Sequence, residues 1–244
     1  MHRQLLLAAL ILGCSSVAGA APPAPVAITT CGQAVPPRGL GYLTADLDCT
    51  GFDGAIGSVM VSRGATLELR GFTLTGGLFG VVCGELVPRP DLPPALQMGR
   101  TCKVDGGGGT ITGAEAHGVL IYRGQVSDVT ITHSGQAGVA SMNKMTLENV
   151  TITDSGTDGA RSDRGAVVVG TTITGSGEDG LHAALSAKVL GSTLTGNGIS
   201  ADCAVGDPCA DLATIRRPKL GLGSVCGTSR QIFTPYSWHV CQLD

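Results

Sequence analysis

The second half of the chain repeats one short pattern of polar and apolar positions. A Thr-apolar-Thr triplet recurs at spacings of 20, 21, 21 and 21 residues. Its copies start at Thr110, Thr130, Thr151, Thr172 and Thr193. Each is followed by two more short runs of alternating polarity, separated by Gly, Ser, Asp and Asn. Alternation with a period of two predicts strands, and no run is long enough for a helix, so each repeat predicts three short β-strands.

Other positions of the repeat also match from copy to copy. The middle residue of each triplet is Ile or Leu, and a later run carries Val126, Leu147, Val168 and Val189. Because side chains alternate along a strand, the middle residues are expected to point inward and the threonines outward. A glycine stands eight residues after each of the first four triplet starts, at Gly118, Gly138, Gly159 and Gly180. We expect these glycines at turns with positive φ.

A unit of three short strands cannot bury its apolar side alone, so the repeats are expected to stack into a parallel solenoid. Glycine is abundant, with 38 residues, and aromatic residues make up 3% of the chain. This composition suits a narrow core of Val, Ile, Leu and Ala. Charged residues make up 14%, with a formal net charge of −3. The balance excludes a disordered acidic chain and offers no basic surface for nucleic acid.

The period also divides the chain into segments. An earlier triplet begins at Thr73, which lies 37 residues before Thr110, or one period of 21 plus 16. This excess, with four prolines between Cys83 and Cys102, predicts a loop inserted in the solenoid. The predicted segments are a signal peptide over 1–20, a linker and N-terminal cap over 21–39, the solenoid over 40–198 with its inserted loop over 84–101, and a disulfide-bonded C-terminal cap over 199–244.

The N-terminus has the pattern of a secretory signal peptide. A short basic start precedes the apolar run 5–12, and the small residues 18–20 form a cleavage site. The run is too short to span a bilayer, and no membrane span is expected. We therefore expect a protein that is secreted, periplasmic or on the outer surface. The alternative is an outer-membrane lipoprotein, because the segment 11–15 resembles a lipobox in which Cys14 carries the lipid.

The remaining eight cysteines form an even set, which in an exported chain predicts disulfides. Local spacing favours the pairs Cys31–Cys49, Cys83–Cys102, Cys203–Cys209 and Cys226–Cys241. No Cys-x-x-Cys pair occurs, so no zinc site is expected. No other metal and no cofactor is expected either, and the chain is expected to be a monomer.

Two segments carry a family resemblance. The runs 43–49 and 65–76 resemble the opening of right-handed parallel β-helix repeat proteins of the pectin-lyase-like superfamily, and the later Thr-Ile-Thr repeats are similar to the same family. The resemblance covers roughly residues 40–198. It implies a single right-handed parallel β-helix of six to seven coils with capped ends. It also implies polysaccharide as the ligand class.

The motifs of the catalytic members are missing from this chain. The Asn-Thr-Asp, Asp-Asp, Gly-His-Gly and Arg-Ile-Lys motifs of polygalacturonases are absent, as is the Asp-Pro-His-Asp motif of alginate epimerases. A fold does not bring its chemistry with it. We therefore expect a non-catalytic exported or cell-surface protein that binds extracellular polysaccharide or has a structural role. The groove beside the Cys83–Cys102 loop is the expected binding surface, because loops on a solenoid line one face.

The register of the repeat predicts one polar cluster. Asp158 and Asp179 stand seven residues after successive triplet starts, and Arg161 and His182 follow three residues later. Adjacent repeats place the backbones of the two aspartates about 5 Å apart, and the pKa values of paired carboxylates at that separation can divide into an acid and a base. With Arg161 or His182 taking a C5 proton, these four candidate catalytic residues suit a polysaccharide lyase, epimerase or glycoside hydrolase acting on polyuronides. In the simpler interpretation both carboxylates are solvated, because Asp-Gly is a favoured turn pair.

The threonine rows offer a third function. Outward Thr-x-Thr pairs on successive repeats form two rows of hydroxyl and methyl groups. Such rows resemble the ice-binding face of some β-helical antifreeze proteins. The alternative explanation is that threonine has high strand propensity and stacks well on itself.

Overall fold

The computed structural model describes residues 23–52, 57–89, 92–98, 101–198, 211–214, 219–221, 223–227, 229–231 and 237–238. This part of the chain is all strand, without a helix, and it forms two large sheets and a hairpin. Sheet A has fifteen strands: Val26–Ile28, Leu40–Leu43, Leu47–Cys49, Thr66–Glu68, Thr73–Gly76, Cys102–Thr112, Gly124–Thr132, Lys144–Glu148, Thr151–Thr153, Gly165–Val169, Thr172–Thr174, Ser186–Leu190, Thr193–Leu194, Lys219–Leu220 and Val225–Cys226.

Sheet B has ten strands. They are Gln33–Val35, Val59–Val61, Val81–Val82, Val119–Ile121, Val139–Ser141, Ala160–Ser162, Leu181–Ala183, Leu212–Thr214, Ser229–Gln231 and Ser237–Trp238. Pairing within both sheets is parallel, except between the last two strands of sheet B. Successive repeats therefore lie side by side in the same direction, an architecture compatible with a β-solenoid.

The register of the sheets follows the sequence period. Ile131 pairs with Ile111 on one side and with Ile152 on the other, and the threonines that flank them pair with their counterparts. The middle residues of the triplets are no more than 1% exposed, so the predicted inward column is confirmed. The second apolar column is confirmed in the same way: Val126, Leu147, Val168 and Val189 pair in register and are fully buried.

The earlier repeat at Thr73 is also confirmed, because Thr73 pairs with Thr110. The excess between these two triplets is an antiparallel hairpin, Gly84–Arg89 with Leu92–Met98, where the sequence predicted a loop. Its register shifts between Leu92 and Ala95, across Pro93 and Pro94. Proline has no N–H to donate to a ladder and is found at such irregular positions.

Two predicted disulfides are present. Cys31 bonds to Cys49 and Cys83 bonds to Cys102, and the second bond joins the two ends of the hairpin segment. Cys226 is also disulfide-bonded. Its expected partner Cys241, the pair Cys203–Cys209, the signal peptide over 1–20 and Cys14 lie outside the described residues. No helix in the described ranges has the length and apolar character needed to span a membrane.

The predicted reason for the glycine column is wrong. Gly118, Gly138, Gly159 and Gly180 do not have positive φ. At Gly159, an added Cβ would lie 2.2 Å from Ile173 Cγ2 and 2.7 Å from the Gly180 carbonyl oxygen. These glycines are therefore required by close contact with the next repeat. The left-handed corners stand elsewhere, among them Asp154 (φ 54°) and Gly175 (φ 69°), each directly after a triplet.

This distinction predicts opposite outcomes for two glycine substitutions. Gly159→Ala should destabilise the fold by about 2 kcal/mol or more, because its methyl group overpacks a backbone contact that cannot move away easily. Gly196→Asn should change stability little. Gly196 has a φ of 68° and open space around its Cα, and asparagine tolerates the left-handed region. Urea unfolding of both variants and the parent protein tests this pair. Equal stability of the two variants would contradict the close-contact explanation.

Candidate functional site

The four candidate catalytic residues lie together at the start of two sheet B strands. Asp158 and Asp179 precede the strands Ala160–Ser162 and Leu181–Ala183, in which Arg161 pairs with His182. An Asp179 carboxylate oxygen lies 3.0 Å from His182 Nδ1. Asp158 Oδ2 lies 3.5 Å from Arg161 Nη1, and Asp158 Oδ1 accepts a hydrogen bond of 3.1 Å from the Asp179 backbone N–H. The structure thus assembles the cluster, while a catalytic role for it stays a prediction.

Both carboxylates of this cluster are buried. Asp158 and Asp179 are each 1% exposed, so the interpretation of solvated turn carboxylates is wrong. An Asp-Gly pair predicts a turn, but it does not predict the direction in which the aspartate side chain points. Here the carboxylate of Asp158 faces the next repeat and satisfies its backbone N–H, which makes the side chain part of the stacking contact.

Burial has a clear electrostatic consequence at Asp158. Desolvation, and next the negative charge of Asp179, raise the pKa of Asp158 to about 6, against opposing effects of His182 and Arg161. The side chain of Arg161 is 50% exposed, so solvent screens its contribution. At neutral pH the cluster therefore holds a carboxylate that ionises less readily than an ordinary aspartate.

A cavity of about 420 Å³ lies beside this cluster, and His117 lines it together with Arg161. Sequence reasoning did not select His117, although it stands in the same repeat position as Asp158. Its ring stacks on Phe79, and its Nδ1 accepts a hydrogen bond from the Ala137 backbone N–H. Burial lowers the pKa of His117, and the charge of Arg161 acts in the same direction. With these contacts, the His117 ring is neutral and carries its proton on Nε2.

One group of side chains in the described residues has the composition of a metal site, although none was expected from the sequence. Asp158, Asp179 and His182 each offer a ligand atom, and these atoms lie within 4.8 Å of one another. Two carboxylates and an imidazole suit a divalent transition metal. However, Asp158 already faces the cation Arg161 and a backbone N–H, and Asp179 faces His182. The cluster thus has internal partners for its charges, and we assign it no metal.

A larger groove of about 710 Å³ crosses the outer face of sheet A. It begins at Thr101 and Cys102, beside the Cys83–Cys102 bond, where the sequence placed the binding surface. From there it crosses successive strands to Lys219. Among the residues that the structure describes, the lining contains four cations, Arg123, Lys144, Lys188 and Lys219, and no carboxylate.

The strand register produces this charge pattern. Gly124 pairs with Met145, which places Arg123 and Lys144, one residue earlier on each strand, in the same outward column. Lys188 pairs with Lys219 in a second outward column. The inward column between the two contains Met145 and Ala187, which are 2% and 4% exposed. Sequence reasoning did not group these cations, because they occupy two different columns of the repeat.

Comparison with known proteins adds no family assignment. The chain matches no family model, no curated protein and no solved structure significantly.

The raised pKa of Asp158 predicts a pH-dependent stability. Its folded-state pKa of about 6 exceeds the ordinary value of 3.8, so the folded protein binds more protons than the unfolded chain between about pH 4 and pH 6. Stability due to this group is therefore greatest below pH 4 and is lost as the pH rises to 6, by up to about 1.4 kcal/mol for each pH unit. Asp158→Asn should remove this loss from the pH profile of the unfolding free energy.

The control is Asp163→Asn, which removes a carboxylate that is 57% exposed beside the same arginine. Its pH profile should follow that of the parent protein. If Asp158→Asn also follows the parent between pH 4 and 6, the buried carboxyl does not titrate as described.

Proposed function

We propose that this chain is an exported right-handed parallel β-helix protein of six to seven coils that binds an anionic extracellular polysaccharide without cleaving it. The resemblance to the pectin-lyase-like superfamily supports the handedness and the ligand class. The disulfides and the leader-like N-terminus support export to an oxidising compartment. The site is the cationic groove of sheet A.

The charge of the groove is the observation that carries this proposal. Four cations line it in a chain whose net charge is −3, and no carboxylate of the described part of the chain shares the lining. A concave surface with one sign of charge attracts ligands of the opposite sign. Glu148 lies outside the lining and is engaged by Gln125, whose amide donates to it over 2.8 Å. A uronate-containing polymer supplies the complementary charge.

The length of the groove favours a polymer over a small ion. It spans six strands, from the one that begins at Cys102 to the one that contains Lys219. Five strand spacings of about 4.8 Å give a track of roughly 24 Å. Cations stand near both ends of this track, so a linear ligand can contact several of them at once. Each contact is weak alone, and the affinity depends on their number.

The burial of the polar cluster supports binding over catalysis. The Asp158 and Asp179 carboxylates are 1% exposed and do not line the groove. An acid and a base that act on a polymer must reach hydrogen-bond distance of its reacting atoms. Asp158 instead holds the backbone of the next repeat.

One observation favours a second candidate function, a polyuronide lyase or epimerase. Asp179 orients the imidazole of His182 at 3.0 Å, which leaves Nε2 as a potential base, and Arg161 can neutralise a uronate beside it. A lyase would release unsaturated uronides, which absorb ultraviolet light. Release that is lost in His182→Ala would support a lyase. An epimerase forms no unsaturated product, so exchange of the uronate C5 hydrogen with solvent deuterium is measured as well. Absence of both signals from the parent protein on a uronide panel would reject this candidate.

The cationic groove predicts the effect of removing its lysines. Lys188→Gln and Lys144→Gln should each weaken binding of polygalacturonate about two- to fivefold, the range for one exposed ion pair, and should reduce the salt dependence of the affinity. Calorimetric titration at two salt concentrations measures both effects. Arg70→Gln is the control, because it removes the same charge from an exposed side chain that does not line the groove. If this variant weakens binding as much as the lysine variants do, net charge rather than the groove determines the affinity.

A further inference from the structure

A regular array of threonines covers the outer side of the triplet strands. Eleven of its members pair directly, residue against residue, in two parallel columns. The first column contains Thr73, Thr110, Thr130, Thr151, Thr172 and Thr193, and the second contains Thr75, Thr112, Thr132, Thr153 and Thr174. All eleven are half-buried, whereas the residue between each pair is buried. The threonines therefore face outward throughout.

The array has two fixed repeat distances. Along a column, threonines follow one another at the strand spacing of about 4.8 Å. Across the columns, the two threonines of a triplet are two residues apart on one strand, or about 6.7 Å. β-Branched side chains are stiff at χ1, and backbone pairing on both sides holds the strands. The methyl and hydroxyl groups thus form a regular two-dimensional lattice.

Most of these hydroxyls are free to bind water. Thr153 donates to Thr132 over 2.9 Å, and Thr132 contacts His133 Nδ1 at 2.8 Å. The other nine hydroxyls make no hydrogen bond to the part of the protein that the structure describes. No member of the array is charged, so no side chain in it competes strongly for hydration.

Strand propensity alone does not account for this uniformity. Sheet A has another outward column with the same parallel pairing, and its residues are half-buried or exposed. This column reads Lys103, Gln125, Thr146, Val167 and Lys188. If strand propensity selected threonine, this column would also be rich in it, but it contains one threonine.

We propose that this threonine face binds ice. A periodic, rigid and uncharged lattice fits a periodic solid better than a single soluble molecule. The hydroxyls fix water molecules at regular positions, and the methyl groups between them order the adjacent water without bonding to it. The array contains no aromatic ring, whereas a protein surface that binds crystalline polysaccharide would use aromatic rings to stack on the sugars. The strands Cys102–Thr112 and Gly124–Thr132 carry residues of both surfaces, but no threonine of the array lines the cationic groove.

The test measures ice binding directly. A growing ice surface should take up the purified, fluorescently labelled protein, and the protein should slow recrystallisation of polycrystalline ice. Thr151→Lys places a long charged side chain in the middle of the array and should lose most of both effects. Thr146→Lys makes the same change in a neighbouring outward column and should retain them. Equal melting temperatures of the two variants exclude unfolding as the cause.

Several results would overturn this proposal. Exclusion of the parent protein from ice rejects it without any variant. Equal retention or equal loss in Thr151→Lys and Thr146→Lys rejects the threonine face as the surface. If Thr151→Lys fails to fold, Thr151→Val and Thr172→Val, which keep the shape and remove two hydroxyls, must weaken uptake by ice. Binding to crystalline cellulose or chitin, with no effect on ice, would assign the face to a solid polysaccharide instead.

Discussion

Each repeat of this chain leaves its backbone N–H and C=O groups unpaired until another repeat lies against it. Burying such groups without partners is costly, and a 21-residue unit has too little apolar surface to offset that cost alone. Parallel pairing in register solves both problems, because it satisfies the backbone and stacks Ile on Ile and Val on Val. The glycine column shows how close this contact is, since there is no room for a Cβ beside the next repeat.

The same constraint governs the polar residues between the strands. The Asp158 carboxylate accepts the N–H of Asp179 one repeat later, and His117 Nδ1 accepts the N–H of Ala137 in the same way. Polar side chains at this position therefore connect neighbouring repeats. A buried carboxylate with a raised pKa is often read as a catalytic group, but burial in a structural contact raises the pKa as well, although the N–H bond itself lowers it. Here the contact explains the burial, and function is better sought on the outward columns.

Sequence reasoning reached the parts of the fold that periodicity determines. It predicted the inward column around Ile131, the outward threonines, and the bonds Cys31–Cys49 and Cys83–Cys102. It misjudged features that depend on the direction of a corner. The left-handed positions follow the triplets, at residues such as Asp154, and not at Gly159. The burial of Asp158 was missed for the same reason. A sequence period gives the spacing of residues along the stack, but it does not give the side of the chain to which a turn residue points.

The proposed binding surfaces are both products of the register. Arg123 and Lys144 become neighbours only because their strands pair, and the threonines form straight columns only because every triplet starts at the same position of the repeat. The central functional claim is that the cationic groove holds a polyuronide and leaves it intact. Size-exclusion chromatography of polygalacturonate after incubation with the protein tests this claim most directly. The account predicts that polymer of unchanged length elutes together with the protein. Shortened polymer, or intact polymer that elutes apart from the protein, would contradict it.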